Sequence, residues 1–218
     1  MKYLMCAYRD WAVKLYNMIS FTDEDCEIML IESQDYLEKE VDKLVPDIIF
    51  FIGWSWILPK EIVEKYYCVC LHPSPLPKYR GGSPIQHQII NGEKTSAVTL
   101  FKMTTELDKG PILYQEPLNL TGNLKVIFDD IISAGFNGIR QIIGDINSGH
   151  IIETPQDESK ATYYKRRTPA MSEITTRDLT IFSAEEIHNK VRALADPYPN
   201  AYIMLRGKKL YIRETFYE

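Results

Sequence analysis

The sequence lacks any apolar run near the roughly 20 residues that a membrane-spanning helix requires. Its first apolar stretch, Met1-Lys2-Tyr3-Leu4-Met5-Cys6, is cut short by Arg9 and Asp10 and reads as a strand, not a signal peptide. No basic block exceeds the trio Lys165-Arg166-Arg167, and the net charge is −5. Nucleic-acid binding leans on phosphate neutralisation, so this balance argues against a nucleic-acid partner. Cysteine is scarce: Cys6, Cys26, Cys68 and Cys70. Cys68-x-Cys70 lacks the usual zinc spacing and no second pair follows, so no metal is expected and the thiols read as reduced. Internal repeats and low-complexity tracts are missing as well. These absences predict a cytoplasmic globular protein that stays off membranes.

What is present is the material for one domain of ordinary size: 218 residues, 45% hydrophobic and 25% charged. Lys2–Ala7, Cys26–Ile31, Asp47–Ile52 and Tyr67–Leu71 are strand-like. Between them Trp11–Ile19, Tyr36–Leu44 and Pro59–Tyr66 are helix-like. Asp47–Ile52 is the continuous apolar run of a strand buried on both faces. The rhythm predicts an α/β fold, Rossmann-like, with a mostly parallel sheet and helices on both faces. In such sheets ligands collect at the carboxyl ends of the strands. Pro84–Asn91 follows as a helix, then strands Thr95–Met103 and Ile112–Leu118. A long helix with apolar residues at three- and four-residue spacing from Leu124 to Ile146 is stopped by Gly149.

After His150 the character changes. Glu153–Arg167 is polar and loop-like, and its basic trio suits either an anionic ligand or plain solvent. Ser183-Ala184-Glu185-Glu186 is a capping box opening a helix through Leu194. Ala201–Leu205 and Lys208–Thr215 read as a hairpin turning at Arg206-Gly207. The expected division is therefore a catalytic domain over 1–150 and a C-terminal loop, helix and hairpin appendage over 151–218. The apolar residues of that appendage, among them Tyr202, Met204, Leu210, Tyr211 and Phe216, predict either docking on the main domain or a homodimer.

Two segments carry chemistry. In Leu71-His72-Pro73-Ser74-Pro75-Leu76-Pro77-Lys78-Tyr79-Arg80-Gly81-Gly82-Ser83-Pro84-Ile85-Gln86, prolines stiffen the chain after a strand, and two glycines then free it before a helix. His72 thus sits where a buried strand opens into an irregular loop, beside a flexible arginine-bearing segment. In Thr104-Thr105-Glu106-Leu107-Asp108-Lys109-Gly110-Pro111-Ile112-Leu113, Asp108 occupies a turn between two strands. Alone it would be turn chemistry. With His72 it completes the histidine–carboxylate design used for proton transfer in acyl chemistry.

These segments resemble the folate-dependent formyltransferase family, in which an Asn-x-His is followed by Pro-Ser-Leu-Leu-Pro, a Tyr-Arg-Gly loop and a Leu-Asp-x-Gly-Pro-Ile-Leu turn. The resemblance covers residues 1–150 and implies 10-formyltetrahydrofolate as co-substrate. It implies that His72 stabilises the developing negative charge, while Asp108 orients it and accepts a proton from the attacking amine. The family's asparagine falls on Cys70, a much weaker donor that shares a strand face with His72. The resemblance further implies a pteridine pocket from Gly53, Trp54, Ile57, Leu58, Thr104, Thr105, Leu107 and Asp108. Tyr8, Arg9, Asp10, Tyr79, Arg80 and Gly81 are the candidates for binding the acceptor. Among family members the short tail and the Arg166-Arg167-Thr168-Pro169 segment are most similar to the sugar N-formyltransferases. The expected acceptor is accordingly a nucleotide-linked amino-deoxysugar, in a surface-polysaccharide or pseudaminic-acid type of pathway. The alternatives are methionyl-tRNA or another amine, or a non-catalytic folate or nucleotide-sugar binding relative marked by Cys70.

Overall fold

The computed structural model describes residues 1–22 and 27–218, so Cys26 lies outside the described residues. The chain begins β1 (Lys2–Cys6), α1 (Asp10–Thr22), β2 (Glu27–Ile31), α2 (Gln34–Leu44), β3 (Ile48–Ile52), α3 (Lys60–Lys65) and β4 (Tyr67–His72). It continues β5 (Arg80–Gly81), α4 (Pro84–Ile90), β6 (Thr95–Lys102), β7 (Ile112–Asn119) and α5 (Leu124–Ser148). The last part holds β8 (Tyr163–Tyr164), α6 (Thr176–Ile181), α7 (Ala184–Ala193), β9 (Ala201–Leu205) and β10 (Lys208–Ile212). No helix among the described residues is long and apolar enough to cross a membrane.

The main sheet has the order β2-β1-β3-β4-β6-β7. Its first four strands are parallel, and β6 and β7 are added antiparallel. The alternation of side chains along β3 explains the two-faced core. Ile48, Phe50 and Ile52 join Leu15, Ile131, Ile139 and Ile142 on the α1–α5 side. Ile49 and Phe51 meet Leu37, Val41 and Ile62 on the α2–α3 side. Strand order reverses between β1 and β3, which opens a crevice at their carboxyl ends.

Helix α5 lies close on the sheet because two of its buried positions are glycine. A Cβ at Gly135 would come within 2.8 Å of Leu71 and Leu15, and one at Gly138 within 2.6 Å of Tyr114 and Leu100. The reading of 183–194 as a capped helix is matched in detail. Ser183 Oγ accepts from the Glu186 N–H at 3.2 Å, and Glu186 returns the bond to the Ser183 N–H at 2.7 Å. Two expectations change. The short helix α6 lies in a stretch with no helical reading, and β10 ends at Ile212 rather than Thr215. The segment over 153–167 also does more than cross the surface: β8 pairs in parallel with β5. At the far end, Ala193, Ala195 and Tyr198 pack on the main core, and Ile174, Val191, Leu194 and Ala201 form a small cluster of their own.

The same substitution should act in opposite directions along α5. Gly144 is exposed, and nothing lies within 4 Å of its added Cβ, so Gly144→Ala should stabilise by roughly 0.5–1 kcal/mol through helix propensity. Gly138→Ala should destabilise by about 1–3 kcal/mol through overpacking. Urea midpoints of the two variants measure both effects.

Candidate active site

His72 ends β4, and the loop after it is bolted to the sheet rather than free. Thr99 Oγ1 donates to the Ser74 carbonyl at 2.6 Å, Gln88 Nε2 to the Pro73 carbonyl at 2.9 Å, and Ser74 Oγ to the Lys78 carbonyl at 2.8 Å. The loop then folds back on His72, whose Nε2 lies 2.9 Å from the Tyr79 carbonyl. That contact makes Nε2 the hydrogen-bearing nitrogen. Nδ1 faces Asp108 Oδ2 at 3.7 Å, beyond hydrogen-bond range.

Asp108 sits at φ +53, in the left-handed region that aspartate tolerates better than most residues. Its turn is pressed against β6, since a Cβ on Gly110 would stand 1.6 Å from the Lys102 carbonyl oxygen. Oδ2 accepts the Gly81 N–H at 2.7 Å. Cys70 lies on the same strand face as His72 and reaches the same cleft. Burial, with the Asp108 charge adding to it, pushes the Cys70 thiol well above its ordinary range. It is a neutral thiol at physiological pH and a poor nucleophile.

The pair lies in a cleft of about 1220 Å³. Cys70, His72, Asp108 and all of Gly53, Trp54, Ile57, Leu58, Thr104, Thr105 and Leu107 line it, as do Arg9 and Gly81. Four acceptor candidates do not. Tyr8 backs the wall: its ring lies 4.6 Å from that of Trp56 and its hydroxyl donates to Ser55 Oγ at 2.5 Å. Asp10 is exposed in the first turn of α1. Tyr79 is buried, with its hydroxyl on Glu93 at 2.9 Å. Arg80 has 0% of its surface exposed; its guanidinium is held by Gln156 Oε1 at 2.7 Å, Glu158 at 2.6 Å and the Tyr163 hydroxyl at 2.6 Å. A side chain so enclosed is scaffold and cannot meet a ligand. Nor do Gly81 and Gly82 supply flexibility. A Cβ at Gly81 would stand 2.3 Å from the Tyr164 carbonyl oxygen, and one at Gly82 2.4 Å from Arg166 Cα, so they admit the backbone of 164–166.

Several cleft residues escaped the sequence reading. Trp11, Phe128, Leu194 and Tyr198 line it from α1, α5 and the C-terminal segment, where their apolar spacing signalled only core. Lys165, Arg166 and Arg167 line it too, so the basic trio is on the rim rather than in a detached loop. Burial lowers the Arg167 pKa, and its Nε is buried without a partner. Gln156, which carried no sequence signal, bonds to the turn that holds Asp108. Among the described residues no group of three or more His, Cys, Asp or Glu could hold a metal ion.

A solved methionyl-tRNA formyltransferase from Clostridium thermocellum superposes with a TM-score of 0.86 and is 30% identical, over 97% of this chain and 91% of that one. The chain belongs to the formyl transferase family. The family model for formyl transferase matches residues 29–125, and that for the formyl transferase C-terminal domain matches residues 182–217, within the segment read as an appendage. The methionyl-tRNA formyltransferase of Bacillus velezensis is 34% identical over 81% of this chain. The chain spans 56% of that relative's length. A 4-N formyltransferase from Francisella tularensis shares the fold, with a TM-score of 0.79 and 20% identity over 100% of this chain and 98% of that one.

Removing either member of the pair should cost about 10²–10⁴-fold in turnover, the usual range for one proton-transfer group. His72→Ala and Asp108→Asn, checked by circular dichroism for an intact fold, are the variants to assay. Cys70→Ser should keep most of the activity, and mass spectrometry should find no formyl adduct on Cys70 without an acceptor.

Proposed function

We propose that this protein transfers the formyl group of 10-formyltetrahydrofolate to the amine of a nucleotide-linked amino-deoxysugar. The observation that carries the reading is the His72–Asp108 pair inside a cleft lined by two kinds of residue. Ile57, Leu58, Val63, Phe101 and Met103 present apolar surface, and Trp54 has a buried Nε1–H without a partner. These residues fit a flat heterocycle with polar edges, and with the turn around Thr104–Asp108 they are the ones that would hold the pteridine. Lys165, Arg166 and Arg167 bring positive charge to the lining in a chain of net charge −5, and Arg9 brings another cation beside Gly53 and Ser55. Those cations suit phosphate on an acceptor.

Bound there, the folate supplies an activated formyl carbon. The chain's own residues do the rest. Tyr79 fixes Nε2 of His72, which leaves Nδ1 and Asp108 Oδ2 facing each other across a gap wider than a hydrogen bond. A group placed between them can receive a hydrogen bond from His72 and give up a proton to Asp108. His72 in its charged form stabilises negative charge developing on the formyl oxygen. Asp108 takes the amine proton as the new C–N bond forms, and charged His72 gives its Nδ1 proton to the departing folate nitrogen as the old C–N bond breaks. A neutral Cys70 contributes little to charge stabilisation, so most of that burden falls on His72.

An anionic chain with only a short basic trio at its cleft favours a small phosphorylated acceptor over tRNA. The second reading, methionyl-tRNA as acceptor, is supported by the 34% identity to a methionyl-tRNA formyltransferase. A homodimer is proposed through the hairpin, where Met204, Leu205, Leu210 and Tyr211 are all exposed. Sedimentation over a concentration range tests it, and a monomer throughout would refute it.

The decisive assay supplies 10-formyltetrahydrofolate with a panel of nucleotide-linked aminosugars and, separately, methionyl-tRNA. Formylated aminosugar is the expected product, absent with His72→Ala. Product from the tRNA arm alone would move the acceptor to the second reading, and product from neither would remove the enzymatic one.

A further inference from the structure

Asp108 is gripped from two directions, and only one of these acts on its carboxylate. The Gly81 N–H reaches Oδ2. The backbone is held by Gln156, whose Nε2 donates to the Asp108 carbonyl at 3.0 Å and to the Gly110 carbonyl at 2.7 Å. The opposite end of that amide is engaged as well. Gln156 Oε1 accepts from Arg80 Nη2 at 2.7 Å and from Nε at 3.1 Å. The orientation of the amide is dictated by chemistry, because a guanidinium only donates and the two turn carbonyls only accept. Arg80 is fixed in turn by Glu158 at 2.6 Å on Nη2 and 3.0 Å on Nη1. Thr154 and Ile112 exchange backbone bonds of 2.8 and 2.9 Å, which anchors the segment beside the turn.

We propose that Gln156, held by the buried Arg80, is a positioning residue that sets the separation between Asp108 and His72. The proposal rests on the reading of this site as a formyl-transfer centre. It gives a task to a residue in the polar 153–167 segment and to an arginine that never meets the ligand. The two donated bonds from one amide lock the turn at the left-handed Asp108 itself and two residues beyond it. With the turn free to relax, Oδ2 drifts relative to His72 Nδ1, and a misplacement near 1 Å is enough to cost much of the rate.

Two variants separate positioning from plain stability. Gln156→Met keeps length and volume and removes both donated bonds. Gln156→Glu keeps the acceptor that Arg80 needs and also removes both donated bonds. Each should lower kcat on the order of 10–10²-fold, with KM for 10-formyltetrahydrofolate within about threefold. Gln156→Glu should lose less melting temperature than Gln156→Met, because Arg80 keeps its acceptor, while both lose kcat alike, a separation that a purely structural role would not produce. Independently of activity, the NMR signals of the His72 ring, assigned by their loss in His72→Ala, should change chemical shift in Gln156→Met as the Asp108 carboxylate leaves its place 3.7 Å from Nδ1. Wild-type kcat in both variants with unchanged His72 ring signals would overturn the proposal. A wild type that formylates no acceptor, with the His72 ring signals still displaced in Gln156→Met, would sink the formyl-transfer reading and leave the positioning role standing.

Discussion

Three consecutive residues, Tyr79-Arg80-Gly81, hold the candidate active site together by hydrogen bonds rather than by touching a ligand. The Tyr79 carbonyl fixes His72, the Gly81 N–H fixes the Asp108 carboxylate, and the Arg80 side chain fixes Gln156, which fixes the Asp108 backbone. Arg80 makes the arrangement hard to vary. A guanidinium without exposed surface must find an acceptor for each donor it turns inward, because an unpaired buried charge is among the costliest features a protein can carry. Its acceptors come from residues 156–163, so the polar segment after α5 is drawn onto the loop after β4. The paired glycines are what let that backbone arrive.

This constraint shapes the cleft as well as the pair. Once β8 is seated on β5, the chain leads directly into Lys165-Arg166-Arg167, which line the cleft. The placement of the basic trio is therefore a consequence of how Arg80 is satisfied. Arg167 carries that pattern inward: it is half-buried, its Nη2 donates to the Met171 carbonyl at 2.6 Å, and its Nε has no partner. A cation held in this way favours an anionic neighbour, since burial without one already lowers its pKa.

Membership of the formyl transferase family fixes the fold and does not by itself fix the acceptor. Relatives named for tRNA and for 4-N formyl transfer both share this fold. One scaffold serves different acceptors where function is carried by loops.

The sequence by itself determined the parallel sheet, the long helix α5, the capped helix α7 and the partnership of His72 with Asp108. The elements are written in local spacing: apolar runs for strands, three- and four-residue repeats for helices, and prolines and glycines that mark where strands open into loops; the partnership came from two separate motifs that together resemble the formyltransferase pattern. Cys70 and His72 also share a face by strand alternation alone. The tertiary structure decided the rest. Arg80 and Tyr79 read as ligand contacts because exposed arginine and tyrosine beside a histidine usually are, and nothing within 20 residues of Arg80 announces that Gln156 and Glu158 will enclose it. Gln156 was silent for the same reason: an amide acquires its role only from the two carbonyls and the guanidinium placed around it. Hydrogen bonds between residues 48 and 76 positions apart leave no periodicity in the chain, so only the folded molecule assigns them.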